Sequence, residues 1–140
     1  MSWKGPLDEA ISYDWHEIQQ KGGRMPAVRT GATSCLHKGN IYLFFGFGAG
    51  VGRSSDVWRF NIQQGLWNIV ETKGNNSDKP NKRDGHSTTN VGDGKLIIFG
   101  GQGDPSPNEK SERVLDIVKT KTWEVRDLYN DLFSYDCNTN

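Results

Sequence analysis

Cysteine occurs only twice in the 140 residues, as Cys35 and Cys137. Two thiols make neither a disulfide framework nor a CxxC metal knuckle, and in a reducing compartment both are expected to be free. An excess of charge of one sign is also missing. Lys and Arg number 17, as do Asp and Glu, so the net charge is zero. That leaves no electrostatic footprint for nucleic acid or an anionic membrane surface, and neither is expected as a partner. The richest basic stretch, Lys79-Pro80-Asn81-Lys82-Arg83, is broken by Pro and Asn and reads as a solvated loop. No apolar run reaches membrane-spanning length, and Met1 to Trp15 has no signal-peptide core. The expectation is a soluble, intracellular, cytoplasmic protein, in which the sequon Asn75-Asn76-Ser77 carries nothing. His16, His37 and His86 stand far apart without HxxxH spacing, so neither a metal site nor a cofactor is expected.

Glycine (17) and Trp (5) are abundant by contrast. Glycine with aromatics suits short strands and tight turns better than a helical bundle. The chain also repeats itself. Arg29-Thr30-Gly31 and Arg83-Asp84-Gly85 lie 54 residues apart, and the same offset places Phe45-Gly46 on Phe99-Gly100. Both glycines close strand-like runs, Ile41 to Phe45 and Leu96 to Phe99. Asp56 to Asn61 alternates ahead of Trp67, and Glu112 to Ile117 holds the matching place ahead of Trp123. Each unit thus reads as Arg-x-Gly, a short strand, an apolar strand ending at Gly, a loop, an alternating strand, and a strand opened by Trp. Four strands per unit at a period near fifty describe a propeller blade.

Arg29, Gly31, Gly46 and Trp67, then Arg83, Gly85, Gly100, Gly101 and Trp123, make this pattern resemble the kelch repeat. The expected fold is all-β: an incomplete kelch-type propeller of two four-stranded antiparallel blades with flanking partial strands. Its expected divisions are a polar segment 1–11, a strand of a preceding blade with linker at 12–28, blades at 29–82 and 83–127, and a partial third-blade strand at 128–140. Tyr13 to Ile18 reads as that preceding strand, and Leu132 to Asp136 as the third strand of another blade. In the first unit Phe47 stands where the second glycine of the pair belongs. It is expected to keep a negative φ, with Gly48, Gly50 and Gly52 taking the unusual dihedrals. The Trp residues are expected between neighbouring blades, and a bulge is expected in the hairpin before Trp123.

Two blades leave apolar faces and strand edges open. The expectation is a fragment of a longer propeller. Self-association through open blade edges and an unrelated tail over the last residues are the alternatives.

No catalytic constellation is apparent, and the protein is not expected to be an enzyme. His86 has no nucleophile or base beside it and reads as a hydrogen-bonding structural residue. Gly46 to Gly52 matches a phosphate-binding spacing only loosely, with no Lys-Ser/Thr after it. The resemblance implies a protein-interaction module, an adaptor or scaffold, with an enzyme on the same scaffold or a truncated non-functional product as rivals. Partner peptides would dock on the face built from the loops into strand one and those between strands two and three. That implicates Arg29, Arg53, Ser54, Arg83, Gln102, Asp104 and Asn108. Arg forks pair carboxylates bidentately, which would suit an acidic or polar peptide.

Overall fold

The computed structural model describes residues 14–74, 78–104 and 127–138. Those residues are all-β. A four-stranded antiparallel sheet runs in the order β1 (Thr33–His37), β2 (Asn40–Gly48), β3 (Gly52–Asn61), β4 (Leu66–Val70). A three-stranded sheet consists of β5 (Ser87–Gly92), β6 (Lys95–Phe99) and β9 (Leu132–Asp136). A short ladder of β7 (Gln102–Gly103) with β8 (Asp127–Leu128) extends its exit.

Local sequence explains the strands. β2 is rich in aromatic residues, and β3 is buried on both faces, Val57 toward the shared core and Trp58 and Phe60 on the opposite face. The β1–β2 and β5–β6 hairpins turn on Lys38-Gly39 and Asp93-Gly94, with φ of 45° and 71°, then 50° and 76°. Positive φ at both positions is what a two-residue turn between twisted strands requires. Asn61 caps the β3–β4 turn, its side chain accepting from the Gln64 amide and its carbonyl from the Gly65 amide.

The two sheets pack face to face. Tyr42, Phe44, Phe45 and Val57 meet Leu96, Ile98, Phe133 and Tyr135. The Phe44 and Tyr135 rings lie edge to face at 5.0 Å. Cys35 and Cys137 border this core as free thiols. Burial, with Cys35 and Asp136 adding to it, pushes the Cys137 thiol up to about 11.

Three expectations are corrected here. Leu132–Asp136 does not open a third blade. It pairs with β6, Ile97 opposite Ser134 and Phe99 opposite Leu132, and so holds the place that the sequence reading gave to Glu112 to Ile117. The spacing misled because β2 and β3 are joined by Ala49 to Val51, whereas β7 and β8 are joined by residues 104–126. The second sheet accordingly shows three strands among the described residues. Trp123, the hairpin before it and residues 112–117 lie outside them.

The second correction is one of register. A bulge at Val91 in β5 inserts one residue. Beyond it the units match at 55 residues: Thr30 bridges Phe47 as Asp84 bridges Gln102. Gly46 therefore corresponds to Gly101, and Phe45, with φ 55°, to Gly100, with φ 69°. It is Phe45 that replaces a glycine of the pair. A Cβ on Gly46 would stand 3.0 Å from the Thr30 carbonyl oxygen, and one on Gly101 2.9 Å from that of Asp84. Both positions need glycine for close approach as well as for φ. Phe47 stays out of the positive-φ region, and Gly50 and Gly52 enter it at 78° and 79°. Gly48 does not; its hydrogen faces the Val28 carbonyl, 2.7 Å from where a Cβ would sit.

Third, Asp14 to Ile18 form no strand, and Tyr13 is outside the described residues. The segment instead runs over the outer face of the first sheet. The Lys21 amide donates to the Gly65 carbonyl (2.9 Å), and Trp67 Nε1 donates to Gln20 Oε1 (2.9 Å). Trp67 packs on Phe60 of its own sheet at 5.0 Å, on that outer face rather than between the two sheets.

Candidate interaction face

One end of the two sheets gathers the Arg-x-Gly segments, the β2–β3 hairpin and the β7 exit. Each segment reaches the face by the same local construction. In the first unit Arg29 Nη1 donates to the Phe45 carbonyl (2.8 Å) and Asp56 Oδ1 (2.7 Å), Nη2 to Asp56 Oδ2 (3.1 Å), and Nε to the Ala27 carbonyl (3.0 Å). In the second, Arg83 Nη1 donates to the Gly100 carbonyl (2.8 Å) and Asp131 Oδ1 (2.5 Å), Nη2 to Asp131 Oδ2 (2.9 Å), and Nε to the Asn81 carbonyl (3.1 Å). Each fork ties the entry to strand one, the end of strand two and the start of strand three. Arg83 also lies 4.3 Å from the Tyr129 ring centroid and 5.4 Å from that of Phe133.

A second set of polar contacts joins the units. Arg53 Nε donates to Asp84 Oδ1 (2.6 Å) and Nη1 to Asp104 Oδ1 (2.8 Å), and Gln102 Nε2 donates to Asp84 Oδ2 (2.9 Å). The Gly46 amide donates to the Arg83 carbonyl, and the Gly85 amide to that of Gly31.

The guanidiniums of Arg29, Arg53 and Arg83, expected to meet a partner, are thus held in intramolecular pairs. Arg83 has no exposed surface and Arg53 only 8 %. The reason is energetic: a fork taken out of water needs its donors satisfied from within. Ser54 likewise turns inward, its hydroxyl donating to Asp56 (2.7 Å). Gln102 is partly buried, Asp104 is the exposed end of the Arg53 pair, and Asn108 lies outside the described residues.

Asp56 shows the electrostatics of the face. Burial works to raise its pKa, but hydrogen bonds from Arg29, Ser54 and Trp58 outweigh it and the net shift is downward. Asp131 is lowered by the hydrogen bond from Arg83. Sequence reasoning gave neither carboxylate a role, although they hold matching places in the two units, Asp56 within β3 and Asp131 just ahead of β9.

His86 sits beneath the face, 5 % exposed. Its Nε2 shares a 2.7 Å hydrogen bond with Thr33 Oγ1 of the neighbouring sheet, not of its own. Burial and then the Arg83 charge push its pKa down to about 4, with Asp84 opposing. The unfolded chain therefore takes up a proton near pH 6.5 that the folded one refuses until about pH 4. Stability is full above pH 6.5 and falls as the pH drops through that window, by up to about 3 kcal/mol. Urea unfolding of wild type and His86→Gln between pH 7 and pH 4.5 checks this, since the variant should lose that share of the slope.

Next to the Arg29 clamp lies a groove of about 280 Å³, whose lining includes Arg24, Met25, Val28, Gly48 and Val51. Val28 is 82 % exposed, Val51 64 % and Met25 55 %. Among the described residues no group of three His, Cys, Asp or Glu could hold a metal ion.

Repeated antiparallel sheets packed face to face, each clamped by an Arg at its entry, define part of a β-propeller. The chain belongs to the kelch-repeat family: the profile of the KLHDC2/KLHL20/DRC7 Kelch-repeats domain matches residues 9–140. An F-box/kelch-repeat protein of Arabidopsis thaliana is 30% identical over 125 residues, 83% of this chain and 25% of that protein. A probable serine/threonine-protein kinase of Dictyostelium discoideum is 35% identical over 89 residues, 64% of this chain and 6% of that protein. The chain therefore spans a quarter or less of these relatives. Among solved structures YjhT shares the fold, with a TM-score of 0.52 at 23% identity over 79% of this chain and 36% of YjhT. Kelch-repeat domains generally mediate protein–protein interactions.

Proposed function

We propose that this chain is an intracellular protein-interaction module whose loop face takes a partner peptide. The observation that carries the reading is the exposed apolar cluster of Met25, Val28 and Val51 around a groove whose floor is fixed by the Arg29–Asp56 pair. Exposed apolar side chains set in a polar rim mark contact surfaces. The arginines serve it by holding the loops rigid, which lowers the ordering cost of binding. The exposed Arg24 at the groove supplies the charge for an acidic or polar peptide. An adaptor or scaffold role is supported by the Arabidopsis relative, whose name couples kelch repeats to an F-box.

The test compares wild type with Val28→Asp/Val51→Asp. Partners are captured by cross-linking in cells, purified, and titrated against both proteins. The variant is expected to bind at least about tenfold more weakly, roughly 1.4 kcal/mol, with an unchanged melting temperature. Equal binding by the two proteins would remove this face from the account.

A further inference from the structure

The polar side chains on the floor of the groove beside Arg29 are engaged with one another. Asp56 Oδ1 accepts from Arg29 Nη1 and the Ser54 hydroxyl, and Oδ2 from Arg29 Nη2 and the Trp58 indole. The Ser54 hydroxyl in turn accepts from Arg29 Nη1 (3.2 Å). A polar side chain entering here would give up its hydrogen bonds to water and meet groups already paired, an unfavourable exchange. An apolar one loses no such bonds and covers Met25, Val28 and Val51. At about 280 Å³ the groove falls just below the range of small-molecule sites and suits one large side chain. Its walls are pinned. The Thr30 amide donates to the Phe47 carbonyl (2.8 Å), the Phe47 amide to that of Thr30 (2.9 Å), and the Val51 amide to that of Gly48 (3.1 Å).

The rim differs from the floor. Arg24 is exposed, and among the described residues it makes no hydrogen bond or ion pair. Arg29, Arg53 and Arg83 are each bound to a carboxylate of this chain. At this groove the Arg24 fork is therefore open to a carboxylate from outside.

We propose that the groove reads a two-part feature of a partner peptide: one leucine-sized apolar anchor seated between Val28 and Val51, and an Asp or Glu within two positions of it, held by Arg24. The inference rests on the reading of this face as the docking surface and adds the chemistry that the partner must carry. The two parts act differently. The anchor supplies most of the affinity, because apolar burial in a pinned groove is not screened by salt. Arg24 supplies selectivity, because an exposed ion pair is worth little in itself but rejects the opposite charge.

The probe is the peptide GSDELEDSG, titrated into the intact 15N-labelled chain and followed by NMR. Saturable shifts are expected at the Gly48, Val51 and Gly52 amides. GSDEAEDSG, which lacks the anchor, should bind about tenfold more weakly. GSNQLQNSG, which lacks the charge, should bind about two- to fivefold more weakly. Raising the salt to about 0.5 M should erase the second difference and leave the first. In Arg24→Glu the order should reverse, with GSKKLKKSG binding more tightly than the acidic parent. No saturable shift at those amides, equal binding of the leucine and alanine peptides, or an unchanged charge order in Arg24→Glu would each overturn the proposal. The face itself is judged separately, by whether Val28→Asp/Val51→Asp loses the captured partner. That loss together with a negative peptide result keeps the docking face and removes only the two-part feature.

Discussion

Replacing Arg83 with Met lowers the free energy of unfolding by about 3 kcal/mol, because a fully buried guanidinium is lost together with its charge-assisted hydrogen bonds while Asp131 stays partly exposed to water. The side chain has no exposed surface, and its four hydrogen bonds, two of them forming the ion pair with Asp131, are all intramolecular. Met restores the volume but leaves the Gly100 carbonyl without this donor and Asp131 without its cation. It also loses the contacts over Tyr129 and Phe133. Arg29→Met costs less, because Asp56 keeps the Ser54 hydroxyl and the Trp58 indole as donors. Urea titrations followed by Trp fluorescence give both values. Acid should weaken the wild type in the same direction. With the folded-state pKa of Asp131 lowered, the pair contributes above the ordinary carboxylate range and is lost as the pH falls through the folded value.

Phe44→Ala is expected to cost about 3–5 kcal/mol, the range for emptying a buried aromatic site. Phe44 is fully buried, against Tyr135 of the other sheet and the Phe45 ring at 6.0 Å. Its neighbour separates two effects. Phe45 is buried too, but it holds φ at 55°, which an L side chain adopts at a cost of about 1–2 kcal/mol. Phe45→Gly loses the ring, in contact with His86 at 5.0 Å, but recovers that strain. Its net cost should therefore fall about 1–2 kcal/mol below that of Phe44→Ala. Equal costs would mean that the positive φ at Phe45 carries no strain.

Much of this architecture could be read from the chain because each landmark answers a local need. Arg29 and Arg83, Gly31 and Gly85, and Gly46 with Gly101 recur because the strand-one entry meets the end of strand two in the same way twice. The slip of one residue, which paired Gly46 with Gly100, came from the Val91 bulge; no residue type marks a bulge of this kind. The misplaced third strand has a different cause. Residues 104–126 separate β7 from β8, and a spacing rule taken from the first unit cannot foresee them.

The end of the sheets that carries the Arg-x-Gly segments was legible in outline and not in its contacts. Sequence placed the arginines at the entries to strand one, yet their carboxylate partners stand 27 and 48 residues away. Charge alone does not say whether a fork points to solvent or to Asp131. Met25, Val28 and Val51 follow no periodicity, so their exposure emerges only from the fold.

The most direct test of the repeated-sheet account is an NMR measurement of interstrand proton contacts to Lys95–Phe99. It should find Ile97 beside Ser134 and Ile98 beside Phe133, as the second sheet requires. Contacts from Lys95–Phe99 to residues 112–117, with none to Leu132–Asp136, would contradict it, and the Arg83–Asp131 clamp would fall with the strand that carries it.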